Sequence, residues 1–145
     1  MRLEFLISGL ALSLMATPSV AQQFDVICAG NKVTVRSVVD KHQKTTATSP
    51  FKARYRLDLN KRLFCSGSCP VAEPIGSASN TSIRIYSYSN SGQGSGNFFL
   101  DRATGRLSGY EQIYLDGILG NATDNITTEA TCTKAAFSGM PKMKF

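Results

Sequence analysis

The stretch Phe51-Lys52-Ala53-Arg54-Tyr55-Arg56-Leu57-Asp58-Leu59-Asn60 alternates apolar and polar residues without a break. Successive side chains of a β-strand point to opposite faces, so Phe51, Ala53, Tyr55, Leu57 and Leu59 share one face while Lys52, Arg54, Arg56, Asp58 and Asn60 share the other. Such a strand packs one side on a core and wets the other. Working outward, the same alternation recurs at Asp25 to Cys28, Lys32 to Val39, Ser82 to Tyr88, Asn97 to Arg102, Leu107 to Leu115 and Thr127 to Thr133. Turn chemistry falls between these runs. Asn60-Lys61 precedes Arg62-Leu63-Phe64, and Asp101-Arg102-Ala103-Thr104-Gly105-Arg106 places a glycine where a hairpin needs positive φ. Helical periodicity is scarce. The pattern predicts an all-β domain, a small antiparallel barrel or sandwich of about seven to eight short strands. Eight Phe and five Tyr supply its core in the absence of Trp.

Ahead of this domain, the apolar run Phe5 to Met15 is followed by Pro18 and the small-residue tripeptide Ser19-Val20-Ala21. The run is too short to span a bilayer and carries Arg2 before it, so residues 1–21 are expected to be a signal peptide cut after Ala21. No cysteine stands directly after the cut, so a lipid anchor on a new N-terminal Cys is not expected, and no later segment is apolar enough for a membrane helix. The expected mature product is a single soluble domain over residues 22–145, secreted or periplasmic. The Ser/Gly/Asn-rich stretches Gly76 to Ser82 and Ser87 to Gly96 are short and flanked by apolar alternation, so both are expected to be connections within that domain.

The four cysteines are Cys28, Cys65, Cys69 and Cys132. An even count in a small exported domain favours disulfides, and the expected pairs are Cys65 with Cys69 and Cys28 with Cys132. Ser66-Gly67-Ser68 is a small, flexible loop able to bring the first pair together, and Pro70 stiffens its exit. The second pair would tie the first strand to the last. Zinc fits poorly, because one C-x-x-x-C pair faces two distant single cysteines and a lone histidine, His42. Nor is this a C-x-x-C redox motif.

Chemistry-bearing residues are sparse. Asp40 and His42 lie close in a polar segment with no G-x-S-x-G elbow nearby, which reads as a solvated loop rather than a triad. The acids Asp58, Glu73, Asp101, Glu111, Asp116, Asp124 and Glu129 are scattered, and Asp116-Gly117 and Asp124-Asn125 lack the order of a calcium loop and read as turns. No catalytic, cofactor-binding or metal-binding residue is expected, and the protein is read as not an enzyme. The net charge is +6. Lys52, Arg54 and Arg56 line one strand face, with Arg84 on another strand and Lys142 and Lys144 near the C-terminus, forming a candidate anion-binding face for an anionic envelope component or another protein. Nucleic acid is disfavoured by the expected location and by the lack of stacking aromatics on that face.

The segments FDVICAG (24–30), RYRLDLNKRLFC (54–65), FFLDRATGRLSG (98–109) and FSGMPKMKF (137–145) together resemble small uncharacterised exported proteins of Gram-negative bacteria that end in F-[S/T]-G-x-P-K-x-K-F. That resemblance covers most of the mature chain and implies export without naming an activity. A second segment, Ser91-Gly92-Gln93-Gly94-Ser95-Gly96, is similar to the Ser-Gly-rich inhibitory loop of periplasmic lysozyme inhibitors, which are small disulfide-linked antiparallel barrels. The match departs at Phe98-Phe99, where those inhibitors carry a tyrosine. The expected function is therefore a non-enzymatic binding or structural module of the cell envelope, with lysozyme inhibition as the alternative.

Overall fold

The computed structural model describes residues 22–38, 41–90, 93–115 and 121–141. The expected signal peptide, Asp40, Ser91-Gly92, Asp116-Gly117 and the final residues including Lys142 and Lys144 lie outside the described residues. The nine described strands are β1 (Gln23–Val38), β2 (Gln43–Asp58), β3 (Leu63–Ser66), β4 (Glu73–Pro74), β5 (Ser77–Ala78), β6 (Ser82–Asn90), β7 (Gly94–Asp101), β8 (Arg106–Leu115) and β9 (Ala122–Ala135). All neighbours are antiparallel, in the order β4-β3-β2-β1-β9-β8-β7-β6-β5, and the sheet curls into a half-barrel, as the alternation predicts. The two edge strands are consecutive in the chain. Between them, Ile75 N–H donates to the Arg62 carbonyl at 2.8 Å and Gly76 N–H donates to the Arg84 carbonyl at 3.0 Å, so one short segment touches both ends of the sheet.

The concave face holds the core. Leu57, Ile83, Ile85 and Leu107 are fully buried, joined by Phe24, Val26, Tyr55, Phe64, Phe98 and Leu100. Phe51, Ala53 and Leu59 pack against this cluster, so the whole apolar set of the quoted stretch faces inward. Burying a large apolar side chain contributes roughly 1.5–3 kcal/mol, and this face supplies most of the favourable term.

Several local expectations are corrected. The run Asp25 to Cys28 and the described part of the run Lys32 to Val39, through Val38, belong to one continuous strand, because Gly30 is not a turn: a Cβ there would run into the Glu129 carbonyl, and glycine lets β9 come close. The stretch Ser87 to Gly96 is mostly strand, with β6 reaching Asn90 and β7 starting at Gly94. Asp58 is not on a wet face. It is 1% exposed, since its carboxylate accepts Gln23 Nε2 at 2.8 Å and Lys61 N–H at 3.0 Å and so holds the β2–β3 turn. Asp124 is not in a turn but within β9, where it is buried and accepts Arg36 Nε and Nη2, each at 2.7 Å. The hairpin at Asp101 behaves as predicted. Its carboxylate accepts Ala103 and Thr104 N–H, and Gly105 has φ 72°.

Candidate functional site

Cys28 and Cys132 face each other across β1 and β9 and are bonded, as are Cys65 and Cys69. Both pairs are those expected. Lys52 is exposed, but its neighbours on the convex side of β2 are engaged. Arg54 donates from Nε to Asp25 at 2.8 Å and pairs with it through Nη2 at 2.6 Å, and Arg56 donates to the Gly139 carbonyl at 3.1 Å. Arg84 instead lies over the Phe99 ring, 5.0 Å from its centroid, on β6. The structure therefore does not gather Lys52, Arg54, Arg56 and Arg84 into one free basic patch. His42 is exposed in the β1–β2 turn with φ 48°.

The arginines hold down the C-terminal segment. Asp25, fully buried on the convex side, accepts Ser138 Oγ at 2.6 Å and Ser138 N–H at 3.3 Å as well as Arg54. Burial works to raise its pKa, but the hydrogen bonds from Ser138 and Arg54 outweigh it and leave the carboxyl below its ordinary value. Met140 completes the strap with its sulfur 3.7 Å from that of Cys65. Thus Ser138, Gly139 and Met140 lie across β1, β2 and β3 and cover the short disulfide.

A different set of residues forms a cleft. β5 pairs with β6 only at Arg84 and Ile83, so beyond that point the edge of β6 from Tyr86 to Asn90 has no second strand among the described residues. On the far side of this gap, β3 ends at Ser66. One ring pair bridges the gap where hydrogen bonds do not: Phe64 of β3 and Tyr86 of β6 stack at 6.0 Å between centroids, and Tyr86 in turn stacks on Tyr88 at 6.3 Å and on Phe98 of β7 at 4.8 Å. Between them opens a cleft of about 400 Å³ lined by Phe64, Ser66, Glu73, Tyr86 and Tyr88.

Two backbone devices aim these side chains. Strict alternation from Ile83 and Ile85 would turn Tyr86 and Tyr88 outward; a bulge between Arg84 and Tyr86 resets the phase, so Tyr86 pairs with inward-facing Phe98. Gly96 supplies the second device. It lies between Tyr88 on β6 and Glu111 on β8, and a Cβ there would sit 2.6 Å from the Tyr88 ring and 3.0 Å from Glu111 Cγ. With no side chain at that position, Tyr88 and Glu111 meet above the strand, and the Tyr88 hydroxyl hydrogen-bonds the carboxylate. Burial, and after it the charge of Glu111, pushes the Tyr55 phenol up to about 12 and raises Tyr86 and Tyr88 in the same direction. Glu73 adds to the effect on Tyr86. These phenols stay protonated near neutral pH, as hydrogen-bonding and ring surfaces rather than bases.

Charge pairing separates Glu73, which lines the cleft, and Glu111, bonded to the cleft residue Tyr88, from the other acids. Asp25, Asp124 and Glu129 have arginine partners, while Asp58 and Asp101 hold turns. Glu73 and Glu111 have no ion-pair partner among the described residues. One signal for the cleft does stand in the sequence: Glu111 is in phase with Leu107 and Ile113, an acid on the apolar face of its strand. Nothing in the sequence marked the bulge that places Tyr86 and Tyr88.

Among the described residues no group of acids, cysteines and histidines is arranged to hold a metal ion, and no helix is long and apolar enough to cross a membrane. No family model, curated protein or solved structure matches the chain.

Proposed function

We propose that the protein is an exported, non-enzymatic binding module of the cell envelope, periplasmic or secreted, whose recognition site is the cleft between β3–β4 and β6. The observation that carries this reading is the cleft itself: rings and the Glu73 carboxylate meet in an open gap of an otherwise hydrogen-bonded sheet. Small-molecule and side-chain sites are concave and largely apolar, with a few oriented polar groups, and this cleft has that composition. The two disulfides suit an oxidising compartment, which supports export. The cleft is favoured over the basic face of β2 because Arg54 and Arg56 already serve Asp25 and the C-terminal strap.

Retention of envelope components on the immobilised mature protein tests the proposal. Saturable retention that is lost in Tyr88→Ala, a partly exposed position whose truncation leaves the core intact, is the expected result. Equal retention by wild type and variant would move recognition elsewhere, and no retention at all would count against a binding role. The alternative, inhibition of a lysozyme-type enzyme, is supported by Gly94, Ser95 and Gly96, which follow the β6–β7 hairpin and border the cleft through Tyr88. Adding the purified protein to lysozyme and finding lysis unchanged would remove it.

A further inference from the structure

Resting on the reading of the cleft as the binding site, we infer that its ligand is an organic cation: an alkylammonium or guanidinium group with apolar shoulders, seated against Phe64, Tyr86 and Tyr88 beside the Glu73 carboxylate, with Glu111 held close by through Tyr88. The ring geometry is the first reason. The Phe64 and Tyr86 planes are 12° apart, and those of Tyr86 and Tyr88 are 20° apart, so near-parallel rings from both β3 and β6 line the cleft. Ring faces are electronegative and attract a cation whose hydration shell is weak enough to shed.

The second reason is the acid placement. In a chain of net charge +6, the two described glutamates without an arginine or lysine partner both act on the same ring, Tyr86. Glu111 is fixed by Tyr88 and given space by Gly96, so its position is built by the strands. No basic side chain lines the cleft. The positive field of the whole molecule opposes a cation at long range, but at ordinary ionic strength it is screened beyond about 10 Å, leaving the local carboxylates in control.

The test is an NMR titration of the mature protein, reading the ring protons of Tyr86 and Tyr88, with choline and with the neutral alcohol in which carbon replaces its nitrogen. Choline is expected to shift these signals saturably and to bind at least roughly tenfold more tightly than the alcohol, with that preference lost in the Glu73→Gln/Glu111→Gln double variant. The glutamines keep size and hydrogen-bonding capacity, and an unchanged amide spectrum away from the cleft verifies the fold. Equal binding of choline and alcohol, unaffected by the double variant, would overturn the cation assignment and leave the cleft as a binding site. No shift of the cleft rings with either probe would overturn the cation assignment, and if retention of envelope components also ignored Tyr88→Ala, the cleft reading would fall with it. Butylamine and a lysine-containing tripeptide share a primary ammonium headgroup. Tighter binding of one or the other supports the inference and identifies the source as a free amine or a protein side chain.

Discussion

Where β1 meets β9, an unbroken register runs from Asp25 opposite Ala135 to Val38 opposite Ala122, and Cys28 and Cys132 are bonded across it. Where β3 approaches β6, backbone bonding is reduced to the contacts of Ile75 and Gly76, and rings stack across the remainder. The two places close the same half-barrel differently. At the first, backbone and sulfur join the strands directly; at the second, the side chains that bridge the gap also line it. Holding one side covalently lets the other remain open, because the curl of the sheet does not depend on a complete ladder at the seam.

The largest test of this contrast is to remove the long disulfide. Cys28→Ser/Cys132→Ser opens a link between residues 104 apart in the chain, and chain entropy puts the loss at about 4.7 kcal/mol. Denaturant unfolding under non-reducing conditions measures it. A loss below about 1 kcal/mol would mean that the backbone ladder suffices and the contrast is wrong.

On the open side, Gly109→Ala should cost about 1–3 kcal/mol by overpacking, because its Cβ would lie 2.5 Å from the Phe98 ring that stacks on Tyr86. The accompanying signature is a shift in the near-ultraviolet tyrosine spectrum. An unchanged spectrum would detach the ring stack from the glycine that makes room for it.

Cys65→Ser/Cys69→Ser removes a bond spanning only four positions, so chain entropy sets its loss at about 2 kcal/mol, less than half that of the long bond. The ratio of the two losses sharpens the comparison, since equal losses would assign the effect to local packing instead of loop closure.

The smallest effect is expected from Ser138→Ala, about 1 kcal/mol at neutral pH for the lost bond to Asp25. Its pH dependence is diagnostic. The folded pKa of Asp25 is lowered, so the stability it supplies is complete above its unfolded value near 3.8 and is lost as pH falls through the lower folded value. Ser138 contributes to that lowering. The gap between variant and wild type should therefore narrow below about pH 3.8, and a gap independent of pH would remove Asp25 from the account.

Fold class was readable because a period of two is a local property: Tyr55, Leu57, Leu107 and Leu100 face inward wherever their strands lie. The disulfide pairs were readable too, since Ser66-Gly67-Ser68 makes one closure easy and leaves one partner for each remaining cysteine. The cleft was not. Tyr86 and Tyr88 face it only because a bulge shifts the phase of β6, and a bulge is a relation between two strands that neither sequence records alone.

The basic face shows the same limit from the other side. Lys52, Arg54 and Arg56 do share one face of β2, as their spacing requires, yet two of them are occupied by Asp25 and Gly139, from opposite ends of the described chain. Alternation by itself determined which side of each strand meets the core, because steric direction along a strand depends on the residue's own backbone. Only the tertiary structure decided which charges remain free and where the sheet stays open, because both depend on partners brought together by the curl from distant parts of the chain.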